Sequence, residues 1–396
     1  MNSIDLKQTT TRKKVLPDTV RDLSEEVRGV SRWIYAHPEL GSEEHEASKL
    51  LVSKLRSHGF DAAENYAGME TAFLAEIGDG DPKVAIFAEY DALPIGHACG
   101  HNLMAAWAFG VAASLAKAKL LRGTLYVAGS PAEEGYGKDA QSKDVIGPKL
   151  KDLGVGAVFS IHPMGEWAVG WRTLAWSRMS YVFRGRDAHA ALSPQEGLNA
   201  LDAAVHFYTQ ARMLRTLVRR DKDVVLSAVV RDGGAVPNVI PGRAEVWLDI
   251  RANDAKYVSE LEERIMRIAQ GAATMTGCSV EWSRLGKFVD SFMRHPELEQ
   301  LYYRHASQYL DNVVPPDETW SRLAVASSDI SNVSQIIPTA HLSVKIGREG
   351  LPGHSEEWKE CAGSREAEEA LLTSIAIAND SIRDYLASRG DSGANP

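Results

Sequence analysis

The chain has 396 residues, 44% of them hydrophobic and 24% charged. This composition excludes a disordered, collagen-like or disulfide-stapled chain and fits a soluble globular protein, while the length predicts two domains. With 44 Lys and Arg against 53 Asp and Glu the formal charge is −9, and without a long basic tract nucleic acid is not an expected partner.

In chain order, the polar stretch Met1 to Lys14 lacks the apolar core of a signal peptide. Helical spacing predicts helices over Val20–Tyr35 and Glu44–Leu55. Thr71–Ile77 and Lys83–Phe87 read as short buried strands, and His101–Leu120 as a long helix. Within that helix lies the longest apolar run, Leu103 to Ala116, whose fourteen residues are too few to cross a bilayer. Strands follow at Thr124–Ala128 and Val155–Ile161, so the first half predicts a mostly parallel sheet with helices on both faces.

The pattern changes near Leu174. Strand Met179–Arg184, helix Gly197–Val218, strands Val224–Val230 and Arg243–Ile250, helix Ala255–Ala272 and strand Cys278–Ser283 spell a ferredoxin-like βαββαβ unit. After Asp290 helical patterns return and end in Arg365–Leu386, followed by a small polar tail expected to fray. The expected organisation is an α/β domain made of residues 1–173 and 291–396, with an α+β insert at residues 174–290. Cys99, Cys278 and Cys361 cannot all pair within one chain, which points to free thiols in a reducing, cytoplasmic setting.

The densest chemistry lies in Glu89-Tyr90-Asp91-Ala92-Leu93-Pro94-Ile95-Gly96-His97-Ala98-Cys99-Gly100-His101-Asn102, where a strand ends and a long helix begins. Ligands bind at such strand ends in open α/β sheets. Cys99 and His101 stand two apart, so in an extended loop both point the same way. Thiolate plus imidazole suits zinc or another borderline transition metal. The competing reading is a buried free cysteine beside a helix-start histidine. In Pro131-Ala132-Glu133-Glu134 the adjacent carboxylates face opposite sides of an extended loop. One can take a metal while the other faces a water, and a solvated acidic turn is the alternative. His162 closes another apolar strand, and His354 sits in the loop Pro352-Gly353-His354-Ser355. If the strands are parallel, Cys99, Glu134 and His162 converge on one rim.

Taken together these stretches resemble the M20 family of metallopeptidases and amidohydrolases, and within it the aminoacylase and carboxypeptidase-like subfamily D. The resemblance rests on His37-Pro38-Glu39-Leu40, Asp91-Ala92-Leu93-Pro94, Gly96-His97-Ala98-Cys99-Gly100-His101, Pro131-Ala132-Glu133-Glu134, Asp187-Ala188-His189-Ala190-Ala191 and Pro237-Asn238-Val239-Ile240-Pro241. Ser328-Asp329-Ile330-Ser331-Asn332-Val333-Ser334 and Pro352-Gly353-His354-Ser355 are most similar to the p-aminobenzoyl-glutamate hydrolase branch.

The resemblance implies a zinc-peptidase-like catalytic domain with an inserted lid and dimerisation domain. It also implies one or two divalent ions (Zn²⁺, Mn²⁺ or Co²⁺) held by Cys99, His101, Glu134, His162 and His354, with His97 outside the ligand set. Asp91 would orient a ligand imidazole and Glu133 would act as general base. His189 would help stabilise an oxyanion, reaching it from the other protomer of a homodimer. Asn238 would contact substrate, and Arg251 would grip a substrate carboxylate. The segment Gly135–Val145, with Lys138, Asp139 and Lys143, receives no role.

The expected reaction is hydrolysis of an N-acyl or N-aroyl amino acid or a short peptide. Two alternatives are removal of an amino group from a small aromatic substrate and an inactive binding partner on the same fold. Trp167, Trp171, Trp176 and Trp320 are candidates for an aromatic pocket or for core.

Overall fold

The computed structural model describes residues 14–119, 121–135, 138, 140–324 and 326–390. The polar N-terminal stretch up to residue 13, Asp139 and the tail from residue 391 lie outside the described residues. The described residues form two compact units. One comprises those up to Trp171, Met293–Arg322 and those from Asn332 on, and the other Arg172–Phe292 with Leu323–Ser331.

The first unit is built on a seven-stranded sheet. Its strands are β1 (Asp61–Glu64), β2 (Phe73–Gly78), β3 (Lys83–Glu89), β4 (Thr124–Ser130), β5 (Ala157–Met164), β6 (Ala168–Val169) and, after the six strands of the other unit, β13 (Thr339–Lys345). The spatial order is β1-β2-β4-β3-β5-β13-β6. The four central strands, β4, β3, β5 and β13, are parallel, and the outer pairings are antiparallel.

Central strands of a covered parallel sheet are buried on both faces, so they read as continuous apolar runs. All seven residues of β4 are buried, as are six of the seven in β3. The helix His101–Ala118 is apolar all round and almost wholly buried. It packs on β3 and lies against the helices Ser24–Ala36 and Arg365–Gly390.

Two strands depart from the sequence expectation. β1 is a polar edge strand with no apolar signal. β13 falls where helical patterns were expected. Its buried Thr339, His341 and Ser343 interrupt the apolar run that marks its neighbours.

The second unit carries a four-stranded antiparallel sheet of β7 (Ala175–Arg184), β9 (Val225–Asp232), β11 (Arg243–Ala252) and β12 (Ser279–Arg284), in the order β12-β7-β11-β9. This is the strand order expected of a ferredoxin-like βαββαβ unit. The clean alternation of β11 buries Ala244, Val246, Leu248, Ile250 and Ala252. That face packs on the helices Ala200–Met213 and Ala255–Thr276. A two-stranded ribbon joins β8 (Ala188–His189) to β10 (Val239–Ile240).

Candidate metal centre

The sequence-derived ligands sit at the carboxyl ends of the four parallel strands. β3 ends at Glu89, and the chain continues through Asp91 to Cys99 and the helix start at His101. Gly100 separates the last two at φ +94°, and a Cβ there would lie 2.8 Å from Pro163 Cγ, so only glycine fits. β4 leads directly to Glu133 and Glu134, and β5 carries His162. β13 leads to the loop holding His354, whose backbone N–H donates to Ala98 O at 3.0 Å. The unexpected strand therefore aims a fourth arm at the same rim.

The donor atoms of Cys99, His101 and His162 all lie within 4.8 Å of one another, as do those of Cys99, Glu134 and His354. Cys99 Sγ is 3.3 Å from His162 Nε2, and His354 Nε2 is 3.4 Å from Glu134 Oε1. One carboxylate braces two of these groups. Asp91 Oδ1 lies 2.9 Å from His101 Nδ1, and Asp91 Oδ2 accepts the Glu134 backbone N–H at 2.9 Å. His162 Nδ1 lies 2.9 Å from Pro163 O. His101 and His162 thus each have one ring nitrogen engaged and the other turned to the cluster, the arrangement that second contacts give metal-ligating histidines.

Burial and neighbouring charge set the protonation states. Burial, helped by the His101 charge, pushes His162 down to about 4, which leaves a neutral imidazole free to ligate. Burial lowers His101 too, but the Cys99 and Asp91 groups outweigh it and raise that imidazole well above its usual range. Burial raises Asp91, but His101 and the Glu134 N–H outweigh it and keep the carboxylate ionised. Burial raises the Cys99 thiol and the Glu134 carboxyl. A cation placed among them favours the deprotonated ligands.

His101 Nε2 and Glu134 Oε1 are buried without a hydrogen-bond partner among the described residues. Two such atoms beside a thiol and two more imidazoles are a donor set that fits a borderline divalent metal.

Glu133 is at this rim too, its Oε2 3.9 Å from His101 Nε2. The remaining candidates, His189, Asn238 and Arg251, belong to the second unit. His189 pairs with Val239 across the ribbon, and Asn238 O accepts the Ala190 N–H at 2.9 Å, so the two neighbour each other. His189 Nδ1 accepts N–H bonds from Ala191 and Leu192, each 3.2 Å. That fixes the neutral tautomer with the proton on Nε2, an outward donor on an exposed loop.

Arg251 lies on the sheet face opposite the helices, 5.7 Å over the Trp176 ring. Its neighbour Asp249 is taken by Arg178 in a two-pronged pair of 2.6 and 3.0 Å and stays 4.0 Å from Arg251. The four tryptophans divide among different roles. Trp171 stacks between His162 and His341, Trp167 is core, Trp320 Nε1 donates to Glu299 Oε1, and Trp176 belongs to the second unit.

Three residues of the rim carried no expectation. Glu44 is fully buried; its Oε1 accepts the N–H of Ala132, a left-handed residue at φ +56° one step before Glu133, and its Oε2 accepts the Thr71 hydroxyl. Glu89 and Lys143 form a buried ion pair of 3.1 Å. The available signals were a carboxylate ending an apolar strand and a lysine in an unassigned loop, neither specific.

A parallel α/β unit with a Cys/His/Glu centre at its strand ends, joined to an antiparallel α+β unit, defines a two-domain metal-dependent hydrolase. Residues 169–274 match the peptidase dimerisation domain of M20 enzymes. The chain is 32% identical over 386 residues to the Xaa-Arg dipeptidase of Mus musculus, covering 92% of this chain and 87% of that protein. It is 33% identical over 321 residues to a p-aminobenzoyl-glutamate hydrolase polypeptide of Escherichia coli, covering 75% and 65%. In fold it is similar to a dinuclear metal-binding peptidase of the M20 family from Bacillus subtilis, with a TM-score of 0.70, 21% identity and coverage of 93% and 99%. The chain belongs to the M20 family of metallopeptidases and amidohydrolases, enzymes that act on C–N amide bonds. Among the described residues no helix is long and apolar enough to cross a membrane.

Proposed function

We propose that this chain hydrolyses the amide bond of an N-acyl or N-aroyl amino acid or a short peptide. One or two Zn²⁺, Mn²⁺ or Co²⁺ ions would be held by Cys99, His101, Glu134, His162 and His354. The observation that carries this reading is the convergence of these donors at one rim, with His101 Nε2 and Glu134 Oε1 buried and unpartnered, beside a second carboxylate, Glu133. Relatives named as a dipeptidase and an aminobenzoyl-glutamate hydrolase support an amide whose product is an amino acid.

A divalent ion in this site supplies positive charge that lowers the pKa of a nearby water and polarises an amide carbonyl. Glu133 takes the proton of the attacking water and later gives it to the departing amine. Asp91 keeps the His101 ring turned to the site and anchors the Glu134 backbone. The Nε2–H of His189 donates to the developing oxyanion, Asn238 contacts substrate, and Arg251 pairs with a substrate carboxylate. The matched dimerisation domain supports a homodimer assembled through the second unit. Its three free cysteines support a cytoplasmic location.

The test is a turnover screen of N-benzoyl and N-acetyl amino acids, dipeptides and aminoaromatics, run on metal-stripped and metal-reloaded enzyme with product identification. Release of a free amino acid and a carboxylic acid, dependent on the ion, is expected. Release of ammonia as the sole nitrogen product would replace this reading with aryl deamination.

A further inference from the structure

A third group of donor atoms, those of Glu89, His101 and Glu133, also lies mutually within 4.8 Å. Glu89 is the last residue of β3, and its side chain is 4% exposed. Its two oxygens face different groups. Oε1 lies 3.1 Å from Lys143 Nζ, and Oε2 lies 3.5 Å from His101 Nε2, beyond a normal N–H···O distance. His101 Nδ1 is already engaged by Asp91, so Nε2 is the ring's metal-facing nitrogen, and it has no hydrogen-bond partner among the described residues.

Lys143 is fully buried. A buried ammonium is found only where an anion answers it, and here the anion is Glu89. The lysine is also held in place. It opens the helix Lys143–Asp152, and the preceding Ser142 hydroxyl donates to Pro131 O at 2.6 Å, in the loop that carries Glu133 and Glu134. One oxygen of Glu89 is therefore fixed by a tethered charge, and the other is presented to the nitrogen that would bind metal.

We propose that Glu89 is a sixth protein donor to the metal centre, bringing its Oε2 to an ion shared with His101, and that Lys143 is the residue that positions it. The proposal rests on the reading of this rim as a metal site. An added carboxylate oxygen hardens a thiolate–imidazole donor set and so favours Mn²⁺.

The test is metal affinity, measured by chelator competition on folded apo-enzyme with Mn²⁺ and with Zn²⁺. Glu89→Gln alone leaves Lys143 buried without its anion, so the decisive variant is Glu89→Gln with Lys143→Met, which removes both charges and keeps the volume. A dissociation constant for Mn²⁺ raised tenfold or more in the double variant is expected. A smaller change would overturn the proposal and leave the pair as a structural bridge. Failure of the wild-type enzyme to bind either ion would overturn the underlying metal reading instead. Should the double variant not fold, a crystal structure of the Zn²⁺-loaded wild-type enzyme decides. A Glu89 oxygen at about 2.0–2.2 Å from an ion is expected, and an ion bound without Glu89 would overturn the proposal.

Discussion

Asp91 and His101 meet fully buried, Oδ1 to Nδ1 at 2.9 Å. The contact fixes which imidazole nitrogen faces the cluster. The other Asp91 oxygen takes the Glu134 N–H, so one side chain sets the geometry of two proposed ligands. Asp91→Asn can keep only one of these contacts in its present sense. It is expected to weaken metal binding by about 10–100-fold while the fold survives. Competition with a chromogenic chelator measures this, and unchanged affinity would remove Asp91 from the orienting role.

Glu44 stands behind the Glu133 loop. Burial, together with the Asp91 charge, raises its carboxyl from 4.5 to about 7. Between those values the unfolded carboxyl is ionised while the folded one keeps its proton, so stability falls as pH rises through that window and is level above it. The stability lost is about 3 kcal/mol. Glu44→Gln, whose amide can still meet both Ala132 N–H and Thr71, should flatten this fall. Urea midpoints for both proteins across pH 5 to 8 check it, and parallel pH profiles would show that Glu44 does not titrate there.

Arg251 has no carboxylate closer than the 4.0 Å of Asp249, which Arg178 already holds. Arg251→Ala should raise KM for substrates with a free carboxylate by the equivalent of about 1.5–3 kcal/mol, and spare their carboxamide analogues. Equal losses for both would assign the guanidinium to packing on Trp176.

How far the sequence exposed this molecule varies residue by residue. Cys99 and His101 are legible because two donors two apart at the start of an apolar helix have few other uses. The ferredoxin-like unit is legible because β11 alternates cleanly. β13 is hidden because a strand buried on both faces, yet carrying Thr339, His341 and Ser343, loses both the alternating and the continuous apolar signature. Glu89, Lys143 and Glu44 are hidden for a different reason. Buried charge is decided by which groups converge in three dimensions, and no local pattern marks it.

His189 stands on an exposed ribbon with its Nδ1 satisfied by its own loop. If it serves the other protomer's site, mixing Glu133→Gln chains with His189→Ala chains restores activity. One site of each mixed dimer then has both residues intact and the other has neither. No recovery, in a sample shown to have exchanged protomers, would place His189 in its own chain's site or outside catalysis.

The most direct test of metal-assisted amide hydrolysis at this rim measures metal content and turnover on the same preparations of wild type, Glu133→Gln and Cys99→Ala. Glu133→Gln should retain the wild-type metal content and lose about 10²–10⁴-fold in turnover, whereas Cys99→Ala should lose metal and activity together. Turnover of Glu133→Gln within threefold of wild type, or full metal content in Cys99→Ala, would contradict the account.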